Sequence, residues 1–343
     1  MTHFYLSPRR ASHDSHRHSD RFDRIAGSRA GIRAEYRGDL SNHLPMALVA
    51  LNSLGADAAR LEAFFTVVSA KLDPAPPLTV ACEDWTAKRG DLTAFASLRA
   101  HFAESIAVHG RDATLRQTLP LLMDGVGAAA FHGLLRTASA VAAEHDDELA
   151  SGLAHWACWH MPLAPFVASQ TASNSEVSTW LGDIAVHMGD WRSEAGLITL
   201  RMTAFAQTSA FHDGADRLAV HDGTLRELAT HALAIYLRTK NFTVLHLITS
   251  AHALRLLTLW IDEPLIAARH YARAYAAGVA ASGVKLDAPI LAVNVLPWPE
   301  VLRAGAASDD EHVIKLVYAC HEEWKTTGDA DYQRAASVVS RLK

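Results

Sequence analysis

Apolar residues recur at intervals of three and four along nearly the whole chain after Gly31. This is the period of an amphipathic α-helix. It predicts early helices from Pro45 and near Asp57, followed by helices over 93–108, 111–123, 126–143, 148–160, 176–188, 194–211, 223–238, 242–260, 264–281, 309–325 and 329–342. Strand-like alternation is confined to an ambiguous stretch at 288–296. The pattern therefore predicts an all-α protein, a single compact domain in which ten or more helices pack like a bundle.

The first 30 residues lack this pattern and are rich in Arg, His, Ser and Asp, including HDSHRH at 13–18. A segment with so little apolar surface cannot offset the entropy lost on ordering. We therefore predict a flexible tail over residues 1–30, with weak metal binding by its histidines as the less favoured reading. Residues 31–343 are predicted to form the all-α domain.

The composition limits the classes of molecule that the protein can be expected to bind. Half of the 343 residues are hydrophobic and a fifth are charged, which allows a sizeable core. The net charge of −5 and the lack of a basic stripe after residue 31 argue against nucleic acid or a membrane surface as partner. The three cysteines are far apart and the sequence contains no apolar run of transmembrane length, so we expect a cytoplasmic protein.

A lysine stands in an unexpected place within SDDEHVIKLVYACHEEW, residues 308–324. Lys315 lies among apolar residues of a predicted helix whose start has a capping box, Ser308 and Glu311, and it shares a helix face with His312. A buried ammonium group without a partner costs several kcal/mol. Lys315 can avoid that cost by pairing with a carboxylate or by reaching the surface. Alternatively, its neutral amine can react with carbon dioxide to give a carbamate, an anionic ligand for a divalent metal.

Three further histidines occur at informative positions. His43 lies in SNHLP directly before a helix, His132 lies in GVGAAAFHGLL among small residues, and His246 lies on the apolar face of NFTVLHLITSAHALRLL. Each one taken alone is compatible with a hydrogen-bonded core histidine. In combination with His312 and Lys315, they become candidates for a metal site between helices.

Four segments, SNHLPMALVALNSLGA, FHGLLRTA, NFTVLHLITSAHALR and EHVIKLVYACHEEW, together resemble the questin oxidase-like proteins, over about residues 36–340. The resemblance implies an all-α, flavin-free oxygenase that acts on anthraquinone-like aromatic polyketide rings with dioxygen. The reaction would be a Baeyer–Villiger-type monooxygenation with NADPH, or ring cleavage by a non-haem iron dioxygenase. The implied metal ligands are His43, His132, His246, His312 and the carbamate of Lys315. Such ligands suit Fe(II), with Zn(II) or Mn(II) as alternative occupants.

Other residues would support such a centre. Ligating histidines usually donate their second ring N–H to an acceptor. Asn42 and Thr249 are near enough in sequence to accept such a hydrogen bond. Trp156, Trp159 and Trp298 could form apolar walls for an aromatic substrate, or simply pack in the core. No catalytic residue beyond the metal centre is predicted.

Two alternatives remain open. His-Asp pairs at 145–146, 212–213 and 221–222 are typical of all-α metal-dependent phosphohydrolases, and a non-catalytic helical binding protein would show the same periodicity. Residues 125–130, GVGAAA, match a dinucleotide-binding pattern, but that pattern requires a preceding strand and the preceding segment is predicted to be helical. The sequence leaves the oligomeric state, the substrate and the need for NADPH open.

Overall fold

The computed structural model describes residues 35–36, 40–73, 79–166, 176–289 and 292–341, so the tail predicted over residues 1–30 lies outside it. The described residues form fifteen α-helices: α1 Leu44–Ser53, α2 Ala58–Ser69, α3 Phe95–His109, α4 Arg111–Leu122, α5 His132–Ala142, α6 Asp146–Cys158, α7 Val177–Met188, α8 Ile198–Ala206, α9 Ser209–Gly214, α10 Thr224–Thr239, α11 Phe242–Leu257, α12 Pro264–Ser282, α13 Trp298–Ala307, α14 Glu311–Thr327 and α15 Ala330–Val339. Two two-residue strands, Glu35–Tyr36 and Leu40–Ser41, pair antiparallel ahead of α1. The prediction of an all-α fold is confirmed.

Helix α11 lies at the centre of the structure. It packs against α5, α10, α12 and α14, and nearly all of its side chains are buried. The stretch Phe242–Trp260 is long and apolar enough to cross a membrane, but most of it is buried, as in the core helix of a soluble protein. Its polar Ser250 is accommodated by a 2.8 Å hydrogen bond between its hydroxyl and that of Tyr271. The apolar character of α11 therefore follows from its being surrounded by other helices.

Four of the helices close a ring of contacts. Helix α1 packs against α5, α5 against α11, α11 against α14, and α14 back against α1. In a ring of this kind, inward-facing side chains from all four helices share one space. Each of these helices carries one of the histidines proposed from the sequence.

The prediction of one helix over 126–143 is wrong in its first part, because α5 begins only at His132. Ala129, Ala130 and Phe131 have φ angles of 47°, 55° and 69° in the left-handed region. For L-residues this conformation costs about 1–2 kcal/mol each. The left-handed turn overrides the helix propensity of the alanines. Just before it, Gly125 lies so close to the ring of His160 that an added Cβ would be 2.6 Å from it.

Two other helix boundaries differ from the prediction. The segment 194–211 contains two helices rather than one, because the Thr208 hydroxyl accepts a hydrogen bond from the Phe211 amide and starts α9 anew. Helix α14 is capped by Asp310, whose Oδ1 accepts from the amides of His312 at 2.8 Å and Val313 at 3.4 Å. Ser308, the predicted cap, instead ends α13.

The ambiguous stretch at 288–296 forms neither strand nor helix in its described residues.

Candidate metal centre

The five candidate ligands come from the N-terminal ends of the four helices in the ring. His43 precedes α1 as its N-cap residue, His132 is the first residue of α5, and His246 lies in the second turn of α11. His312 and Lys315 lie in the first two turns of α14. Because each candidate is near a helix start, convergence of the four helix ends brings all five side chains to one place.

The four imidazole rings form a closed circuit of contacts. Their ring centroids are separated by 4.6 Å between His43 and His132 and by 5.2 Å between His132 and His246. The circuit is completed by distances of 5.4 Å between His246 and His312 and 4.6 Å between His312 and His43. The structure therefore brings together the four histidines that the sequence suggested.

Lys315 is buried beside this circuit, with 7% of its surface exposed. Its Nζ atom has no hydrogen-bond partner, and within the described part of the chain no carboxylate lies within 4 Å of it. Burial lowers the pKa of Lys315 to about 7, although the carboxylates of Glu311 and Asp310 oppose the shift. Of the two simple alternatives, neither pairing with a described carboxylate nor extension to the surface is observed.

Each histidine has an acceptor near its Nδ1 atom. His132 Nδ1 lies 2.5 Å from the carbonyl oxygen of Ala129, and His246 Nδ1 lies 3.0 Å from that of Phe242. Carboxylate oxygens lie 3.4 Å from Nδ1 of the other two histidines, Glu311 beside His43 and Asp310 beside His312. At His132, His246 and His312 these acceptors favour a proton on Nδ1 and leave the lone pair on Nε2. Nδ1 of His43 forms no hydrogen bond with a described residue, and the Glu311 carboxylate is its nearest described acidic neighbour.

Asn42 and Thr249, the residues expected to accept hydrogen bonds from the ligating histidines, also bond to the backbone. Asn42 Oδ1 accepts from the amide of Leu44 at 2.9 Å, and the Thr249 hydroxyl lies 3.3 Å from the carbonyl oxygens of Leu245 and His246 within its own helix. Backbone carbonyl groups and two acidic residues lie beside the Nδ1 atoms instead.

The electrostatics of the cluster favour neutral imidazole. Burial, followed by the charge of Lys315, lowers the pKa of His43 and His132 well below its usual value. Burial likewise lowers the pKa of His246 and His312. Neutral imidazole is the form that binds a metal ion.

Two further observations are consistent with a metal ion at this place. The Nε2 atoms of His43 and His132 are 2.7 Å apart. Two lone pairs at this distance repel each other unless a cation or proton lies beside both. Two nitrogen ligands about 2.1 Å from one metal ion and at right angles to each other are about 3 Å apart, close to this separation. In addition, His312 Nε2 and Lys315 Nζ are buried without partners, and such groups require an explanation in the form of an ion or water.

Sequence reasoning missed Glu311 as a member of the site. Its carboxylate and the ring nitrogens of His43 and His312 include donor atoms that all lie within 4.8 Å of one another. Glu311 was interpreted only as part of a capping box. Its position directly before His312 at a helix start was the available signal.

Among the described residues, the spaces that adjoin the cluster are small. A pocket of about 90 Å³ lies beside His43 and Glu311 and is also lined by Phe64 and Lys71, while a cavity of about 30 Å³ lies beside Lys315. Pockets for drug-sized ligands usually have about 300–1,000 Å³. These two spaces therefore suit dioxygen, carbon dioxide or water, and a ring substrate would require the helices around the pocket to separate.

None of the three tryptophans proposed as substrate walls lines either space. Trp156 is fully buried and donates to the Gly125 carbonyl at 3.2 Å. Trp159 ends α6, and Trp298 packs against His321 and Trp324. Their contacts are those of core residues in this conformation.

The features behind the alternative functions have local structural roles. His145 Nδ1 accepts from the Glu148 amide and Asp146 pairs with Arg111 at 2.6 Å, while His221 Nδ1 accepts from the Gly223 amide. The glycine-rich segment from Gly125 follows a short 3-10 helix and has no preceding strand among the described residues. The structure gives no support to a phosphohydrolase or dinucleotide site at these positions.

The fold and this cluster place the chain in a class of all-α proteins with a candidate metal centre. In this class, four histidines and a buried lysine lie together between helix ends. The family model for questin oxidase-like proteins matches residues 40–320, and the chain belongs to this family. The match includes all five candidate ligands. A search of curated proteins found no match. Family membership implies an oxidase or oxygenase acting on polyketide-like substrates.

Proposed function

We propose that the protein is a non-haem iron oxygenase that oxidises or cleaves an anthraquinone-like ring with dioxygen. Fe(II) would be held by His43, His132, His246, His312 and a carbamate on Lys315. The observation that carries the proposal is the closed circuit of imidazoles around a buried amine that has no partner. Bound iron would supply the redox chemistry with dioxygen.

The roles of the protein groups follow from their surroundings. A lysine whose pKa is lowered to about 7 has a large neutral fraction at neutral pH, and only the neutral amine reacts with carbon dioxide. Conversion to a carbamate replaces a cation by an anion, which the four nearby helix N-termini stabilise. Phe242 packs against His246 and His312 at centroid distances of 5.0 and 4.6 Å and keeps water away from that side of the cluster.

Two finer points are part of the proposal. The reaction would be a dioxygenation if dioxygen and iron suffice, and a Baeyer–Villiger-type monooxygenation if NADPH is also consumed. Zn(II) or Mn(II) would occupy the same ligands without supporting the iron reaction. The small spaces described beside the cluster would admit dioxygen, and a ring substrate would approach through the His43 pocket once the helices around it separate.

Metal content is the direct test. After anaerobic loading with Fe(II) and removal of excess metal, we expect about one iron per chain by elemental analysis. We also expect oxygen consumption with an anthraquinone panel, measured with and without NADPH. Protein treated with a chelator serves as the control. No retained metal would support a binding protein, and a metal pair with phosphoesterase activity would support the phosphohydrolase.

Replacing Glu311 by Gln tests its role beside His43. The change keeps the size of the side chain but removes the charge that favours a proton on His43 Nδ1. We expect metal affinity to fall about 10–100-fold, the usual effect of losing an outer-shell partner. Competition with a fluorescent chelator would measure it. Glu322→Gln, on the same helix but paired with Lys325, is the matched control and should leave the affinity unchanged.

A further inference from the structure

A second buried polar group lies on α11 and α14, the helices that also carry His246 and Lys315. The small cavity beside Lys315 is also lined by His252 and Tyr318. His252 is 5% exposed, and its Nδ1 lies 2.7 Å from Oε1 of Glu323, which is also 5% exposed. Arg255 Nε donates to the same oxygen at 2.6 Å. This histidine–carboxylate pair lies outside the circuit of four histidines.

The hydrogen bond between His252 and Glu323 has a defined direction. Burial acts to raise the pKa of Glu323, but the hydrogen bonds from His252 and Arg255 and the positive charge of Arg255 hold that pKa below its usual value. An ionised carboxylate accepts a hydrogen bond from Nδ1–H of His252, and in the tautomer that donates in this way the lone pair is on Nε2. His252 Nε2 is buried and has no hydrogen-bond partner. A base oriented by a third group, with its second nitrogen available, is the arrangement used for proton transfer.

The cavity is suited to a small molecule. Its volume is about 30 Å³, and about 10–15 Å³ is enough for one water molecule. It can therefore hold two waters, or one carbon dioxide, against walls that are mostly apolar, such as Met46, Leu135 and Leu256. Both buried polar atoms that lack partners here, Lys315 Nζ and His252 Nε2, belong to residues that line it.

We propose that this cavity is the chamber in which carbon dioxide reaches Lys315, and that His252, positioned by Glu323, accepts the proton released there. This inference rests on the proposed carbamate. The lone pair of neutral Nζ forms a bond to the carbon of CO2, and one C=O π pair moves to oxygen to give the carboxylate. One N–H proton passes to His252 Nε2, which lines the same chamber. The products are a carbamate anion and an imidazolium paired with the Glu323 carboxylate, so atoms and charge balance.

The test follows carbamate formation itself. Metal-free full-length protein would be mixed with carbon-13-labelled bicarbonate, carbonic anhydrase and Zn(II), which is diamagnetic, and the growth of the carbamate signal followed by NMR. Loss of the signal in Lys315→Met would assign the signal to a carbamate on Lys315. We expect His252→Gln and Glu323→Gln to slow its growth at least about 100-fold, the lower end of the range for general acid–base catalysis, while the final intensity stays the same. Added imidazole should accelerate His252→Ala but not the wild type.

The controls separate the two proposals. His101→Gln changes a partly buried histidine that lies on α3, does not line the chamber and is bonded to the Cys82 carbonyl. This variant should react at the wild-type rate. Thermal melting shows whether the variants are folded. If His252→Gln forms the carbamate as fast as the wild type, the role of His252 is wrong while the metal centre stands. If the wild type shows no signal that depends on Lys315, the carbamate itself is wrong and both proposals fall.

Discussion

Lys315→Ala is expected to lose metal binding almost completely while keeping its helices. The substitution would remove the proposed anionic ligand and leave the four neutral imidazoles as the remaining candidate ligands. Loss of an outer-shell partner alone costs about 10–100-fold in affinity, so loss of this ligand should cost more than about 100-fold. Removal of an amine that is buried without a partner should itself cost little stability, because its desolvation was unfavourable. Elemental analysis after gel filtration and far-ultraviolet circular dichroism measure the two effects.

Rescue experiments sharpen this test. The alanine leaves a space next to the existing cavity, so acetate or bicarbonate should restore part of the metal binding by taking the place of the carbamate. Lys325→Ala is the matched control, since Lys325 lies on the same helix, is exposed and pairs with Glu322 at 2.6 Å. A Lys315→Ala protein that retains a full equivalent of iron and turns over normally would show that Lys315 is not a ligand.

Local sequence patterns were sufficient to predict the helical fold, and the four segments that resemble the family were sufficient to group the candidate ligands. Helical period is set by neighbours three and four residues apart, so α11 and α14 were predicted within a few residues of their observed ends. Lys315 was noticeable because a charge interrupted an apolar run. His43, His132 and His246 were each ambiguous alone, and only the ordered set of segments made them candidates together.

The features that sequence reasoning missed depend on contacts between distant segments. The left-handed turn at Ala129–Phe131 contradicts alanine's preference for helix. It also places the Ala129 carbonyl against His132 Nδ1 at 2.5 Å. Strain of this kind clusters at functional sites. Likewise, the pair of His252 and Glu323 joins two helices 71 positions apart in sequence, and no local pattern indicates it.

Gly133→Ala should disrupt both the fold and the metal centre, because α5 lies directly against α6 at this residue. A Cβ on Gly133 would be 2.7 Å from the Cα and Cβ atoms of Trp156, and a backbone atom cannot yield as a flexible side chain does. Overpacking costs about 1–3 kcal/mol, and here we expect the upper end, measured by chemical unfolding of the metal-free protein. Moving α5 away from α6 also displaces His132, the adjacent residue, from His43. Metal affinity should therefore fall at least about tenfold, beyond the change in stability.

Gly182→Ala provides the matched comparison for this helix-packing argument. Gly182 lies inside α7 with open space where a Cβ would go, so the same substitution there adds helix propensity without a clash. It should raise the free energy of unfolding by about 1 kcal/mol and leave metal affinity unchanged. Equal stability of the two variants, or full metal binding by Gly133→Ala, would mean that α5 can move without consequence. The position of His132 would then not be fixed by the contact between α5 and α6, and the strained turn before it would have to hold the ligand alone.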